Sequence, residues 1–287
     1  MKFVVLGSGG VQTTPRPTCQ CKVCREARQK KGRYQRLGPS LYCYDLEAVF
    51  DTPEDVGTAL NREDIKKVSS VFYTHADPDH VMGLRVCEQI CLDWFLFGKA
   101  EPRRRIIDVY LPGEVYERLF SFSSHYGSFF SYYEKERSYI RTHRLTSSIK
   151  FSDILVTPVR IQPGIYLYLL EQGKKKVIYA PCDTKPFAPA NEFWAKLIGA
   201  DLLILECCFF EGSQKDGNFF QLEHFIRRKL RNLQEVKLLL EKLQPLHTVF
   251  CHIEESFGKS YDDYNKLARQ YDLWGIEFAY DGMILEV

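Results

Sequence analysis

Short apolar, β-branched runs separated by polar turns recur along the whole chain, and amphipathic stretches of helical period lie between them. The runs predict strands at 2–6, 41–44, 48–51, 69–74, 106–110, 154–159, 166–170, 177–180, 202–206, 248–251 and 276–278. The turn Glu171-Gln172-Gly173-Lys174 between two of them reads as a hairpin. Helical periodicity predicts helices at 22–31, 81–97, 114–121, 192–198, 225–243 and 261–270. In 225–243, Ile226, Leu230, Leu233, Val236, Leu240 and Leu243 fall on one stripe. Ser260 with Asp263 forms a capping box that opens the helix at 261. Strands interspersed with helices, with no Gly/Ser/Pro linker and no internal repeat, predict a layered α/β protein built as a single domain over 1–287.

Residues 120–139 stand apart, crowded with Phe122, Tyr126, Phe129, Phe130, Tyr132 and Tyr133 among serines. Core packing is the usual role of such side chains, and a lid or a subunit contact is the alternative. This stretch reads as part of an aromatic-rich insertion at about 99–150.

Composition narrows the class without naming the chemistry. The chain is 287 residues long, 45% hydrophobic and 26% charged, as ordinary globular proteins are. A net charge of +2 provides no global field toward nucleic acid or membrane. The basic runs Arg103-Arg104-Arg105, Lys174-Lys175-Lys176 and Arg227-Arg228-Lys229 read as solvated faces, with phosphate landing sites as the minority reading. The apolar run at 1–7 is too short for a secretory signal, and no apolar stretch reaches the length of a membrane span. A soluble, cytoplasmic protein is therefore expected. Ten cysteines in that compartment are thiols and metal ligands rather than a disulfide framework.

Two clusters carry chemistry. Thr74-His75-Ala76-Asp77-Pro78-Asp79-His80 places two imidazoles and two acidic side chains directly after a predicted strand. Borderline and hard ligands together suit Zn²⁺, Mn²⁺ or Fe²⁺. The plainer alternative is a polar loop in which Asp79 caps a helix. Cys19-Gln20-Cys21-Lys22-Val23-Cys24 puts three thiols beside Lys22 and Arg25, a spacing that can close on one soft or borderline metal, with a loop stapled by zinc as the natural use and three unrelated buried thiols as the plainer alternative. Asp183 and His252 each follow a predicted strand, as His75 does, so three strand ends could converge at one sheet edge.

These features occur in the order found in the metallo-β-lactamase superfamily. They are the opening strand with Gly7-Ser8-Gly9-Gly10, the strand end at Asp51, the His75–His80 motif, Asp183 and His252. The Cys19-x-Cys21-x-x-Cys24 motif, Thr157-Pro158-Val159 and Ala279-Tyr280-Asp281-Gly282 make the chain resemble the PhnP-type phosphodiesterase branch, which is similar to RNase Z and PqqB. The resemblance implies an αβ/βα four-layer sandwich and a metal-dependent hydrolase of small or cyclic phosphodiesters that works through a metal-bound hydroxide. It also implies a homodimer. An RNase Z-like nuclease and a PqqB-like non-hydrolytic metal- or cofactor-binding protein are the alternatives, and nucleic acid is the less favoured partner.

By motif position, His75 would bind a first catalytic ion, Asp79, His80 and His252 a second, and Asp183 would bridge them. The ions would be one or two of Mn²⁺, Zn²⁺ or Fe²⁺. Asp79 would also orient the nucleophile, and His224 would reach the substrate phosphate and protonate the leaving oxygen. The chain departs from the pattern in three places. Asp77 stands where a histidine is usual, and its carboxylate oxygen would still ligate a hard or borderline ion there. The histidine expected shortly after 159 is missing, with Gln162 the nearest polar side chain and His125 or His143 as remote substitutes. Glu255 replaces the histidine that would complete a structural zinc site with Cys19, Cys21 and Cys24. A weakened first site would favour Mn²⁺ or Fe²⁺ over Zn²⁺.

Overall fold

The apolar runs pair into two seven-stranded sheets. The computed structural model describes residues 1–96, 105–271 and 275–287. The first sheet runs, in spatial order, Ile284–Glu286, Lys2–Gly7, Ser40–Cys43, Ala48–Phe50, Ser70–Phe72, Ile107–Pro112 and Ile140–Leu145. The second runs Ile276–Phe278, His247–Cys251, Leu202–Glu206, Lys175–Ala180, Ile165–Gln172, Ile154–Gln162 and Ile149–Phe151. In each sheet the last-named or first-named four strands are parallel, from Ala48–Phe50 to Ile140–Leu145 in one and from Lys175–Ala180 to Ile276–Phe278 in the other. Parallel strands end at the same rim, which is where an α/β sheet presents its functional loops.

Between the sheets lie Phe3, Val5, Phe50 and Phe72 from one side and Val156, Tyr168, Val177, Tyr179 and Ile204 from the other. Tyr168 sits edge-on to Phe50 and Phe72, at 5.5 Å from each ring, and its hydroxyl donates to the Tyr73 carbonyl at 2.9 Å. Its ring thus adds to the core, by about 2 kcal/mol for an aromatic of this size, without leaving a polar atom stranded. Val56, Ala59, Leu60, Val115 and Leu119 cover the outer face of the first sheet. Leu197, Val236, Leu239, Leu243 and Tyr264 cover the second. Helix, sheet, sheet, helix is the four-layer αβ/βα sandwich that the motifs imply. Phe130, Tyr132, Tyr133 and Tyr139 pack into the first outer core, while Tyr126 is exposed and stacks on Tyr132 at 4.6 Å. Residues 97–104 of the aromatic-rich stretch and its flank lie outside the described residues. Among the described residues, no helix is long and apolar enough to cross a membrane.

Two predicted helices are corrected. The stripe over 225–243 is two helices, Ile226–Lys229 and Leu233–Leu243. Leu230 is extended, and the second helix opens on its own capping box: Asn232 Oδ1 accepts from the Glu235 amide at 2.9 Å, and Glu235 Oε2 accepts from the Asn232 amide at 3.0 Å. Leu230 stays buried through the break, which is why periodicity alone passes over it. Asn232→Ala is expected to lower unfolding stability by about 1 kcal/mol, read as a shift in the urea midpoint. The predicted helix at 81–97 is a chain of short turns, with α-helix only at Pro78–Val81 and Val86–Cys91 and residue 97 outside the described residues. The His80 carbonyl accepts from the Thr52 amide at 2.7 Å and the Gly83 amide donates to the Thr52 carbonyl at 2.8 Å. Those backbone groups are thereby withdrawn from a continuous helix. A Cβ at Gly83 would overlap the Pro53 carbonyl, so only glycine fits there.

Candidate metal centre

At the rim where the parallel strands end, the chain turns sharply through residues with left-handed backbone. Asp51 has φ 61°, Asp183 φ 48° and His252 φ 55°. Such conformations cost a non-glycine residue on the order of 1 kcal/mol each and concentrate at functional sites. All three are polar and lie just beyond an apolar strand.

Asp51 is wholly buried and organises the two imidazoles of the His75–His80 motif. Its Oδ1 accepts from the Thr74 amide and its Oδ2 from the Thr74 hydroxyl, each at 2.8 Å. Oδ2 also lies 2.9 Å from His80 Nδ1, and Thr74 Oγ1 lies 2.9 Å from His75 Nδ1. Thr74 already donates its proton to Asp51, so His75 Nδ1–H donates to Thr74 and His80 Nδ1–H donates to Asp51. Both rings are thus fixed with Nδ1 protonated and the Nε2 lone pair free. Burial lowers His80 to about 3 and holds His75 well below the usual histidine value, so both are neutral. The ring centroids are 4.1 Å apart, and neither Nε2 has a hydrogen-bond partner although both rings are buried. Two neutral, oriented, partnerless imidazole nitrogens are what a divalent ion requires.

Asp79 faces the same point. Its Oδ2 is 3.3 Å from His252 Nε2 and 3.5 Å from His80 Nε2, and ligand atoms of Asp79, His80 and His252 lie within 4.8 Å of one another. Burial works against the Asp79 charge, but the hydrogen bond from His252 and the nearby His80 and His75 hold its carboxyl below the usual range. His252 is the reverse case. Burial opposes its charge, yet Cys182, Asp79 and Glu254 hold it well above the usual value. In a pocket so rich in acceptors a proton on His252 answers the demand for positive charge that a metal ion would satisfy. Gly10 makes the close approach possible, since a Cβ there would overlap Glu254 Oε1 and lie 2.7 Å from His252 Nδ1. Gly10→Ala is expected to weaken metal uptake by about tenfold or more, measured by titration against a competing chelator, with the far-UV circular dichroism unchanged.

The remaining sequence-predicted residues fall into place unevenly. Asp77 Oδ2 lies 3.9 Å from His75 Nε2, on an exposed side chain at the mouth. Asp183 reaches the rim, and its charge acts on Asp77 and His80. Its carboxylate, however, joins none of the tight donor groups among the described residues. The side chain that does is its neighbour Cys182, grouped with His75 and His80 and again with Glu206 and His252. Gln162 Nε2 donates to the Asp183 carbonyl, which ties it to the loop that carries Cys182. His143 lies 2.7 Å from Asp108, and His125 is exposed against Tyr126, so neither replaces the missing histidine. His224 Nδ1 accepts from the Ile226 amide at 3.2 Å, and its ring packs on Phe220 and Phe225.

Sequence reasoning passed over Cys182, Glu206 and Glu254. Glu206 is buried and accepts from the Asp183 and Thr184 amides at 3.0 Å and from the Thr184 hydroxyl at 2.9 Å. A signal was present: Glu206 ends the apolar strand Leu202–Glu206, as Asp51 follows Ala48–Phe50.

A second donor cluster lies beside the first. Cys19, Cys21 and Cys24 Sγ stand 3.4, 3.2 and 3.0 Å from Glu255 Oε1, and all four donors lie within 4.8 Å of one another. An ion with Zn–S bonds of about 2.3 Å and a Zn–O bond of about 2.0 Å spaces tetrahedral ligands on the order of 3.5 Å apart, so the set fits zinc. Lys215 Nζ contacts Glu255 Oε1 at 2.7 Å and Cys19 Sγ at 3.1 Å, which sets an ammonium beside the thiols. Burial raises the Glu255 carboxyl, but Lys215 and the three thiols bring it down to about 2.

Comparison with known proteins agrees with this architecture. The profile of the beta-lactamase superfamily domain matches residues 47–253. A diphosphatase of the PhnP family superposes with a TM-score of 0.68 at 23% identity, covering 100% of this chain and 97% of that one. Zinc-bound PqqB from Methylobacterium extorquens gives 0.72 at 17%, with 100% of both chains covered. The short form of human tRNase Z gives 0.60 at 14%, covering 100% and 99%. No curated protein matches the chain by sequence. With both donor clusters at the strand-end rim and the profile spanning most of the sequence, the chain belongs to the metallo-β-lactamase superfamily, whose members are commonly metal-dependent hydrolases.

Proposed function

We propose that the chain is a metal-dependent phosphodiesterase of small or cyclic phosphodiesters. The observation that carries this reading is the convergence of His75, His80, Asp79 and His252, with two buried imidazole nitrogens left free. Divalent ions held there would acidify a water and neutralise phosphoryl oxygens. The chain's own groups do the rest. Asp51 and Thr74 keep both imidazoles in the ligating tautomer. Asp79 accepts at the centre, where it can orient the nucleophile. Arg118 and Lys229 both act on the Asp77 carboxylate, so the mouth offers positive charge to an anionic substrate. A zinc ion at Cys19, Cys21, Cys24 and Glu255 would staple the adjoining loop.

His224 is assigned the role of proton donor on its motif position. Its Nδ1 accepts a backbone proton, so the neutral ring carries its own on Nε2. The segment that follows is tied to the rim, with Lys185 Nζ 2.7 Å from the Arg227 carbonyl. His224→Ala is expected to slow hydrolysis of an alkyl diester by about a hundredfold. Hydrolysis of bis(p-nitrophenyl) phosphate, whose leaving group needs no proton, should be slowed far less.

The direct test is elemental analysis of the purified protein together with bis(p-nitrophenyl) phosphate turnover, with and without added Mn²⁺ or Zn²⁺. Metal beyond the cysteine cluster and metal-dependent turnover support the reading. Metal without turnover would favour a binding protein of the PqqB kind. RNA binding that weakens steeply with salt would favour a nuclease.

A further inference from the structure

We propose that Cys182 is a ligand to metal in the His75–His252 centre, replacing the imidazole that the sequence lacks after residue 159. The proposal rests on the reading of that centre as a metal site and names a donor that the motifs do not contain. The structure leaves a gap and a filler together. His75 and His80 are fully buried and their Nε2 atoms have no partner. The Cys182 sulfur and the imidazole ligand atoms of both residues lie within 4.8 Å of one another. The same sulfur is grouped equally tightly with Glu206 and His252, so it stands between the two halves of the centre.

The two histidines that could stand in for the missing one are placed elsewhere, His143 paired with Asp108 and His125 exposed against Tyr126. Other buried thiols contrast with this one. Cys91, Cys207 and Cys251 donate to backbone carbonyls, as buried structural cysteines do. Cys182, only 8% exposed, is set instead among imidazoles and a carboxylate. It is carried into the centre by the same loop that brings Asp183, whose amide Glu206 anchors.

The chemical consequence concerns which ion the centre selects. Histidine and carboxylate donors alone would accept Mn²⁺ readily, and the missing histidine favours it further. A thiolate shifts the preference toward Zn²⁺ or Co²⁺, because sulfur is a soft ligand. Binding releases the thiol proton to solvent and forms one metal–sulfur bond, with no change in oxidation state.

The test is Co²⁺ loading of the whole protein, read by cobalt content and by near-ultraviolet thiolate-to-cobalt charge transfer. Cys19, Cys21 and Cys24 supply three thiolates, and Cys182 a fourth. In Cys182→Ser, the absorbance at full loading is expected to fall by about a quarter, with the weak visible bands of the catalytic-type centre shifting as a sulfur is lost. X-ray absorption of the unsubstituted zinc protein gives an independent count, four zinc–sulfur bonds at about 2.3 Å per chain rather than three. Ions at both clusters with only three sulfur ligands would overturn the assignment of Cys182 and leave the metal centre standing. Uptake at the Cys19 cluster alone would overturn both.

Discussion

Asp79→Ala should lower kcat/KM for bis(p-nitrophenyl) phosphate by about three orders of magnitude or more. The Asp79 carboxylate lies between two imidazoles of the centre, 3.3 Å from His252 Nε2 and 3.5 Å from His80 Nε2. Those imidazoles also hold its charge in place, against the burial that would neutralise it. Removing it subtracts a ligand and a negative charge at once. A divalent ion contributes several kcal/mol of charge stabilisation in the transition state, and each 1.4 kcal/mol is a factor of ten. Asp79→Asn keeps the shape without the charge and should fall nearly as far. Elemental analysis separates the two routes to inactivity, since the alanine variant should lose metal and the asparagine variant should retain part of it. Wild-type turnover in either variant is incompatible with the proposed centre.

The second large effect is structural. Cys24→Ser should destabilise the fold by about 3 kcal/mol or more, and strong chelation of the wild type should do the same. At roughly 2–4 °C per kcal/mol for a domain of this size class, the melting temperature should drop by about 10 °C. The reason lies in what the cluster joins. Cys19, Cys21 and Cys24 come from the loop and first turn after the opening strand, and Glu255 comes from beyond the strand His247–Cys251. Glu255 is fully buried, so losing the ion leaves a carboxylate in the interior with Lys215 as its one cationic partner among the described residues. Calorimetry with and without chelator is the measurement. A melting temperature indifferent to both treatments would mean that the cluster carries no structural ion.

How much of this was legible in the sequence depended on burial. The hairpin at 171–174 and the helix Tyr261–Gln270 came out where the pattern placed them, because alternation and a capping box are local signals. The strands Ile140–Leu145, Ile149–Phe151 and Ile284–Glu286 were invisible, and all three lie at sheet edges. An edge strand need not be apolar on both faces, and Arg141, Thr142, His143 and Arg144 show no hydrophobic alternation. The helix broken at Leu230 was hidden for the opposite reason, since burial continued where backbone geometry did not.

In the site, the residues announced by motif spacing were brought together: the three cysteines with Glu255, and Asp79 and His80 with His252. Cys182 and Glu206 were not announced, because nothing in a single side chain says that it points into a rim shared by two sheets. The Asp51 strand end was read as a motif, but its hold on both imidazoles depends on Thr74 standing between Asp51 and His75, a relation visible only in three dimensions.

His252 and Glu255 lie three residues apart, one in each donor cluster. A peptide this short cannot absorb a shift at one end without passing it to the other. Geometry at the reactive rim is therefore inherited from the sulfur cluster, and an evolving lineage could retune one only by renegotiating both. Scarcity of the softer metal would be felt first as a misaligned imidazole, well before the chain came apart.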